Sequence, residues 1–361
     1  MTFDLKDHLR TLVELHAPSG HEGAARGAVR EAWADLTDEF QQDGLGSLIG
    51  IKRATNPTDP PRKIMLAAHI DEIGMMVRDV VDGFVFIYRI SGVDNRVMPS
   101  QTVMIHGREM VPGIVAATPP HLLSADDRRK YPTWDQMVVD VGLPHDEVVK
   151  RVRTGDVVTV DAPMVELAGN KIAAKALDDR ACVAALTQCL VYLQGMQHAW
   201  DVYATATVQE EIGGYQGATA SSHLIDPDVA IALDVTFAPQ AGVSGDDTSE
   251  MGSGPTLSIG PNFHIKLHAA IKDAAAALEM PIQDDVLSGR SGTDAWAIQV
   301  ARLGVPTALL SVALRNMHSP VETIDLRDVE RMGRLLAHFI ASLDSDFLAA
   351  IDWQAGSPAA D

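Results

Sequence analysis

The chain has 361 residues, and its 49 acidic and 29 basic side chains give a formal net charge of −20 at pH 7. This charge argues against a nucleic-acid partner, because phosphate binding requires a basic surface. A membrane span is not expected either, because no apolar run approaches about 18 residues. The charged start MTFDLKDHLR does not fit a signal peptide. At this length we expect two domains, or one domain with a large insertion.

The N-terminal part begins with a helix signal, which is followed by a buried strand. Ser19-x-x-Glu22 is typical of a capping box at the start of an amphipathic helix. A basic, proline-rich link comes next, and the apolar run IMLAA at 64–68 then indicates a buried strand. We assign residues 1–71 to the first part of an α/β domain.

The pattern changes between residues 72 and 166. Short alternating or β-branched segments such as FVFIYRI, TVMIHG and DVVTVD are separated by turns, which predicts a small β-barrel or sandwich. In residues 167–361 strands alternate with helices again, which predicts a sheet covered by helices on both faces. The predicted fold class is therefore α/β, interrupted by a β-rich insertion at 72–166. The tail AGSPAAD is expected to be loosely held.

The only two cysteines, Cys182 and Cys189, lie in a segment with a helical pattern. Their separation along such a helix is roughly 10 Å, whereas a disulfide needs Cα atoms within about 7 Å. We therefore expect two reduced thiols in the core, and a cytoplasmic protein.

Histidines and carboxylates follow several of the predicted strands. They are, in chain order, His69, the pair Glu210 and Glu211, Asp234, and His318. Ligands of open α/β sheets bind beyond the carboxyl ends of the strands. Each of these residues, taken alone, would more often cap a helix, lie in a surface turn or belong to a solvent-exposed face. Together, acids at the ends of apolar strands need a cation that neutralises them.

Two further aspartates, Asp178 and Asp179, stand directly before the predicted helix at 180–197, where an N-cap is expected. Imidazole and carboxylate donors suit zinc, cobalt or manganese, and the lack of thiolate ligands disfavours a structural zinc cluster. Five such ligands could hold two ions about 3.5–4 Å apart. Such a pair polarises a carbonyl and makes hydroxide available near neutral pH.

Glu210 and Glu211 cannot share one task, because neighbouring side chains on a strand point to opposite faces. We expect Glu211 to bind metal and Glu210 to act as the general base toward the bound water. Asp71, two residues after His69, is expected to accept the other N–H of that imidazole and so fix its tautomer.

Six segments resemble one known family in sequence and in order: AHIDEIG, ALDDRACVAAL, VQEEIGG, ALDV, SGTDAWAIQ and RNMHSPVETID. The chain is similar over nearly its whole length to the tetrahedral aminopeptidases, which form family forty-two of the metallopeptidases. That family includes glutamyl, leucyl and lysyl aminopeptidases, and some members carry the name endoglucanase. The combination of segments is specific, although any one of them alone is weak.

The resemblance implies a role for each candidate residue. The implied ligands are His69 and Asp234 for one ion, Glu211 and His318 for the other, and Asp178 as the bridge. Glu210 matches the catalytic base and Asp71 the orienting acid, and the peptide bond from Asp178 to Asp179 would be cis. The two ions would be zinc or cobalt, with manganese as an alternative.

The resemblance also implies that the insertion at 72–166 is a dimerisation domain, through which members form dimers and often hollow tetrahedral dodecamers. We therefore expect a cytoplasmic, oligomeric, dinuclear metallo-aminopeptidase that hydrolyses N-terminal residues from short peptides. The alternatives are a metal-dependent deacylase of N-acyl amino acids and a catalytically silent oligomeric scaffold. A glycoside hydrolase could use paired acids, but it would leave His69 and His318 without a role.

Two residues outside this set have open roles. Arg290, in SGRSGTDAW, could bind a substrate oxygen or cap a surface, and His264, in GPNFHIKL, could line a specificity pocket or be structural.

Overall fold

A computed structural model describes residues 3–245 and 248–353. The tail AGSPAAD lies outside the described residues. The strands in chain order are β1 (Glu39–Gln42), β2 (Leu48–Lys52), β3 (Lys63–His69), β4 (Gly74–Val81), β5 (Phe84–Ile90), β6 (Thr102–His106), β7 (Met110–Ala117), β8 (Met137–Asp140), β9 (Val157–Val160), β10 (Val165–Glu166), β11 (Lys171–Ala174), β12 (Asp201–Thr207), β13 (Val229–Phe237), β14 (Thr256–Ile259), β15 (Gln283–Val286), β16 (Thr307–Leu314) and β17 (Glu322–Asp325). The helices are α1 (Leu5–Val13), α2 (Gly23–Trp33), α3 (His145–Arg151), α4 (Leu177–Leu193), α5 (Gln216–Ile225), α6 (Ile265–Ala277), α7 (Ala295–Ile298), α8 (Leu326–Ser342) and α9 (Phe347–Ile351).

The largest sheet among the described residues has eight strands in the order β1-β2-β12-β3-β13-β16-β14-β15. The central strands β12, β3, β13 and β16 run parallel to one another. β2 and β14 pair with this central part in the antiparallel sense. The carboxyl ends of the parallel strands therefore meet at one edge, where ligands of open α/β sheets bind.

Both faces of this sheet are buried. Ile64 and Leu66 of β3 belong to a core that includes residues of α1, α2, α4 and α8. Met65 and Ala67, which point to the other face, belong to a core with α5 and α7. A strand that is covered on both sides needs apolar side chains at every position, which explains the continuous run IMLAA.

The strands β4, β5, β8, β7, β6 and β9 close into a barrel in that order. Met75, Val103 and Val139 lie in its interior, in a hydrophobic core separate from those of the large sheet. The predicted α/β class with a small β-barrel or sandwich is confirmed, and the structure has the barrel. The exact domain boundaries at 72 and 166 stay a prediction.

A small sheet of β10, β11 and β17 joins two distant parts of the chain. β11 pairs with β17 in the antiparallel sense, so Ala174 lies opposite Glu322. α4 starts shortly after β11, and α8 follows β17 directly. This pairing brings the start of α4 next to the segment that begins at Glu322. Within the described part of the chain, no helix has the length and apolar character needed to cross a membrane.

Candidate active site

The polar residues that follow the predicted strands meet at one edge of the large sheet. His69 is the last residue of β3, and Glu210 begins a short π-helical turn, Glu210–Gly214, after β12. Asp234 lies within β13, which continues to Phe237, so the prediction that the strand ends there is wrong. The register still brings Asp234 close to His69, because Ala232 pairs with Ala67 two residues earlier on each strand.

Asp178 lies between the two histidines of the predicted site. Its Oδ1 is 3.2 Å from His69 Nε2, and its Oδ2 is 3.3 Å from His318 Nε2. His318 Nε2 is also 3.4 Å from Glu211 Oε2. Each oxygen of the Asp178 carboxylate therefore faces a different imidazole, which is the geometry that a carboxylate needs to bridge two ions.

A second group of donors surrounds His69. The ligand atoms of His69, Asp178 and Glu211 lie within 4.8 Å of one another, and so do those of His69, Asp179 and Asp234. α4 begins at Leu177, earlier than predicted, so Asp179 lies within it and does not cap it; its Oδ2 accepts the backbone N–H of His69 at 3.2 Å. Its Oδ1 is buried and has no hydrogen-bond partner among the described residues. The peptide bond from Asp178 to Asp179 is cis, as the family resemblance implies.

Glu322 connects two of these residues, and sequence reasoning missed it. Its Oε2 accepts the backbone N–H of Asp178 at 3.1 Å, and its Oε1 accepts that of His318 at 2.8 Å. His318 has a φ of +60°, in the left-handed region that non-glycine residues seldom adopt. The buried Glu322 carboxylate therefore fixes the turn that carries His318. The signal in the sequence that could have pointed to Glu322 is an acidic residue four positions after His318.

Asp71 accepts hydrogen bonds from three donors. Its Oδ1 accepts the N–H of Glu210 at 3.1 Å, and its Oδ2 accepts the N–H of Glu211 at 3.1 Å and the hydroxyl of Ser19 at 2.6 Å. His69 Nδ1 lies 3.2 Å from the main-chain oxygen of Asp71 and 3.5 Å from its Oδ1. The acceptor is an oxygen in either case, so Nδ1 carries a proton and Nε2 is the atom that would bind a metal.

The predicted capping box does not form. α2 begins after Glu22, whose side chain makes no capping hydrogen bond, and the Ser19 hydroxyl is bonded to Asp71. Glu22 Oε1 accepts the N–H of Gly20 at 2.6 Å and that of Gln209 at 3.2 Å. The prediction is wrong because both side chains bond groups other than the first turn of the helix. They stabilise the loops around the site instead.

Comparison with known proteins identifies the family. Residues 46–335 match the model of the M42 glutamyl aminopeptidase family. The chain belongs to the M42 family. The resemblance stated above is therefore confirmed, and so is the predicted class of enzyme, a hydrolase that acts on peptide bonds.

Individual M42 relatives match the chain over almost its whole length. The lysyl aminopeptidase of Pyrococcus furiosus is 35% identical over 341 residues, which cover 93% of this chain and 96% of that protein. A TET aminopeptidase from a marine-sediment thaumarchaeon superposes with a TM-score of 0.90 at 30% identity, covering 96% of this chain and 99% of its own. The Pyrococcus horikoshii TET1 peptidase, described as assembling into a tetrahedron or an octahedral shell, gives 0.82 at 27% identity, covering 94% and 100%.

The carboxylates of this M42 chain have shifted pKa values. Burial, reinforced by neighbouring carboxylates, raises the pKa of Glu210 and Glu211 well above the usual range, and that of Asp234 to about 8. Burial also opposes ionisation of Asp178, but hydrogen bonds from His318 and His69 outweigh it and lower the pKa. Carboxylates that are costly to ionise together are stabilised in the charged form by a cation. The residues present therefore fit a metal site, although their individual roles stay predictions.

A cavity of about 650 Å³ opens over the site of the M42 chain. Four of the five predicted ligands, the predicted base and three further residues are among those that line it: Asp178, Glu211, Asp234, His318, Glu210, Phe237, Asp285 and Ser311. His69 lies beneath this surface, because only 2% of its side chain is exposed. The cavity gives a substrate direct access to the carboxylates.

Neither Arg290 nor His264 is among the described residues that line this cavity. The Arg290 guanidinium stacks on Tyr215 at 5.2 Å and on Trp296 at 5.3 Å, beside the turn that carries Glu210. His264 is the N-cap of α6, and its Nδ1 accepts the N–H of Leu267 at 3.3 Å. The position of His264 agrees with the structural alternative, whereas that of Arg290 is compatible with either role.

Proposed function

We propose that this chain is a dinuclear metal-dependent aminopeptidase that removes N-terminal residues from short peptides. The observation that carries the proposal is the position of Asp178, which faces His69 with one oxygen and His318 with the other. The proposed ligands are His69 and Asp234 for one ion, Glu211 and His318 for the other, and Asp178 as the bridge. Family membership supports the reaction, and the donor set supports the metals.

Two divalent ions in this position would supply an activated water and polarise the scissile carbonyl. Glu210 is the general base of the proposal: its carboxylate takes a proton from the attacking water and returns it to the leaving amine. Its position at the cavity supports this role, because it faces the substrate side and lies 3.9 Å from His69 Nε2. Asp71 orients Glu210 and Glu211 through their backbone N–H groups.

The proposed substrates carry a basic N-terminal residue. None of the described residues that line the cavity is a lysine or an arginine, which is compatible with a basic side chain there. The Pyrococcus furiosus relative, a lysyl aminopeptidase, supports this preference.

We also propose a cytoplasmic, self-associating protein whose barrel forms the dimer contact, with dimers assembling into a tetrahedral dodecamer. The Pyrococcus horikoshii relative supports this proposal by its described assembly. The barrel exposes apolar side chains on its strands, among them Tyr88, Met110 and Ile114. The free, buried thiols of Cys182 and Cys189 support a reducing compartment.

The proposal is tested with protein stripped by a chelator and reloaded with zinc, cobalt or manganese. The substrates are aminoacyl-p-nitroanilides and their N-acetylated counterparts. We expect two ions per subunit and turnover of the free-amine compounds alone. Turnover of only the acetylated compounds would support the deacylase. A protein that binds none of the metals and stays inactive would support the silent scaffold.

A further inference from the structure

The barrel reaches the proposed metal site through two residues that follow β5. We propose that Ser91 and Gly92 are positioning residues, which fix the metal-binding geometry of Glu211 and His318. This inference rests on the proposed function, because it assumes that these two side chains bind metal. Each of the two barrel residues contacts a different proposed ligand, so the inference has two independent supports.

Gly92 packs against the imidazole ring of His318. A Cβ atom placed on Gly92 would lie 2.4 Å from His318 Nδ1 and 2.9 Å from Cε1. Real Cβ atoms do not approach other atoms so closely, so any larger residue would push the ring away from its position. Gly92 is not in the left-handed region, so it is the lack of space, and not the backbone conformation, that requires glycine here. The ring it holds lies 3.3 Å from Asp178 Oδ2.

Ser91 contacts the other ligand through the main chain. Its hydroxyl donates a hydrogen bond to the backbone oxygen of Glu211, in the short turn after β12. The N–H of Glu211 already donates to Asp71 at 3.1 Å. Both backbone polar groups of Glu211 are therefore hydrogen-bonded. Its N–H is bonded to Asp71, which follows β3 of the large sheet, and its carbonyl oxygen is bonded to Ser91, which follows β5 of the barrel.

The barrel supports this contact rigidly. Ile90, directly before Ser91, pairs with Gly74 across β4 and β5, and Val93, directly after Gly92, is buried in the barrel core. His318 needs such support, because 33% of its side chain is exposed, whereas Asp178 and Glu211 expose 7% and 4%. The least buried of these three side chains is the one that the barrel restrains by direct packing.

The test is a titration of metal-free protein with Co²⁺, followed by visible absorption, for the unaltered chain and for Gly92→Ala and Ser91→Ala. Gly44→Ala is the matched control, because Gly44 is exposed and a Cβ there meets nothing within 4 Å. We expect Gly92→Ala to weaken one of the two binding steps about 10- to 100-fold, as for other residues that orient ligands. Ser91→Ala should weaken the same cobalt-binding step by up to about tenfold, which corresponds to the loss of one hydrogen bond. The cobalt spectrum should change in both.

Circular dichroism and light scattering establish which variants are folded and assembled. A merely structural role would lower the melting temperature and leave the cobalt spectrum and affinity of the folded protein unchanged, and that result would overturn the inference. If Gly92→Ala does not fold, Ser91→Ala decides the question alone, because it removes atoms and adds none. If the unaltered chain itself binds no cobalt, the proposed function fails and this inference fails with it.

Discussion

Asp71 Oδ1 accepts the backbone N–H of Glu210 at 3.1 Å, although 139 residues separate the two in the chain. Asp71 is fully buried. Burial alone would raise its pKa, but hydrogen bonds and charge from His69, together with the hydroxyl of Ser19, outweigh burial and lower the pKa. Asp71 is therefore an ionised carboxylate surrounded by donors, and it holds the turn that carries the proposed base.

We predict that Asp71→Asn lowers kcat about 10- to 100-fold, the range found when residues that orient a metal site are removed. The new amide NH₂ would face a backbone N–H of Glu210 or Glu211, so one buried donor would lose its acceptor. Steady-state kinetics and metal analysis measure the effect. Asp161→Asn, at an exposed position on the barrel, is the control. Unchanged kinetics in Asp71→Asn would contradict the orienting role.

Glu210→Gln should lower kcat by about 10²–10⁴-fold, because an amide cannot accept the proton of the attacking water. The metal content should not change, since Glu210 is not one of the proposed ligands. Activity and metal stoichiometry are measured on the same samples, with the exposed Glu31→Gln as control. A variant that loses its metal together with its activity would make Glu210 a ligand instead of the base.

The residues at the strand ends could be predicted because their signal is local. The apolar run before His69 marks a strand that is buried on both faces. The run before Glu210 and Glu211 marks a second one. Parallel strands then bring their carboxyl ends to one edge, whatever the order of the strands. This is why side chains far apart in the chain could be assigned to one site.

The remaining features depend on pairings between distant segments, which the hydrophobic periodicity of the sequence does not reveal. Glu322 reaches Asp178 only because β11 pairs with β17. Asp234 lies inside its strand because β13 continues to pair with β16 as far as Phe237. Ser19 has the spacing of a capping box, but α2 begins only after Glu22, and the Ser19 hydroxyl donates to the Asp71 carboxylate instead. The sequence does not distinguish a barrel from a sandwich, because closure of the barrel depends on the pairing of β4 with β9.

Glu322→Gln should destabilise the protein and weaken metal binding together. The Glu322 carboxylate accepts the N–H of Asp178 and that of His318, and an amide has only one oxygen, so one N–H would be left without an acceptor. Such a loss costs about 1–3 kcal/mol of unfolding free energy. Urea unfolding and a Co²⁺ titration measure the two effects. The control Glu279→Gln, at an exposed position, should change neither. A Glu322→Gln protein with normal cobalt affinity would limit Glu322 to a role in stability.

We expect a pair of histidines, His106 on β6 of the barrel and His16 in the segment after α1, to make the free energy of unfolding depend on pH. Thr159 Oγ1 lies 2.8 Å from His106 Nε2 and 2.8 Å from His16 Nδ1. One hydroxyl can donate to one ring and accept from the other, so the arrangement suits two neutral imidazoles. Burial, together with the charge of His16, lowers the pKa of His106 to about 4. Burial and then the charge of Lys175 lower the pKa of His16.

Both folded-state pKa values lie below the ordinary value of 6.5, so the unfolded chain binds more protons in this range. The contribution of these two histidines to the free energy of unfolding should be fully present above pH 6.5. It should decrease as the pH falls toward about 4. His106→Gln removes one of these groups, so we predict a shallower decrease of the unfolding free energy in this window. Urea unfolding at a series of pH values measures the slope. His121→Gln, at an exposed position, should leave the slope unchanged. Parallel curves for His106→Gln and the unaltered chain would show that His106 does not contribute.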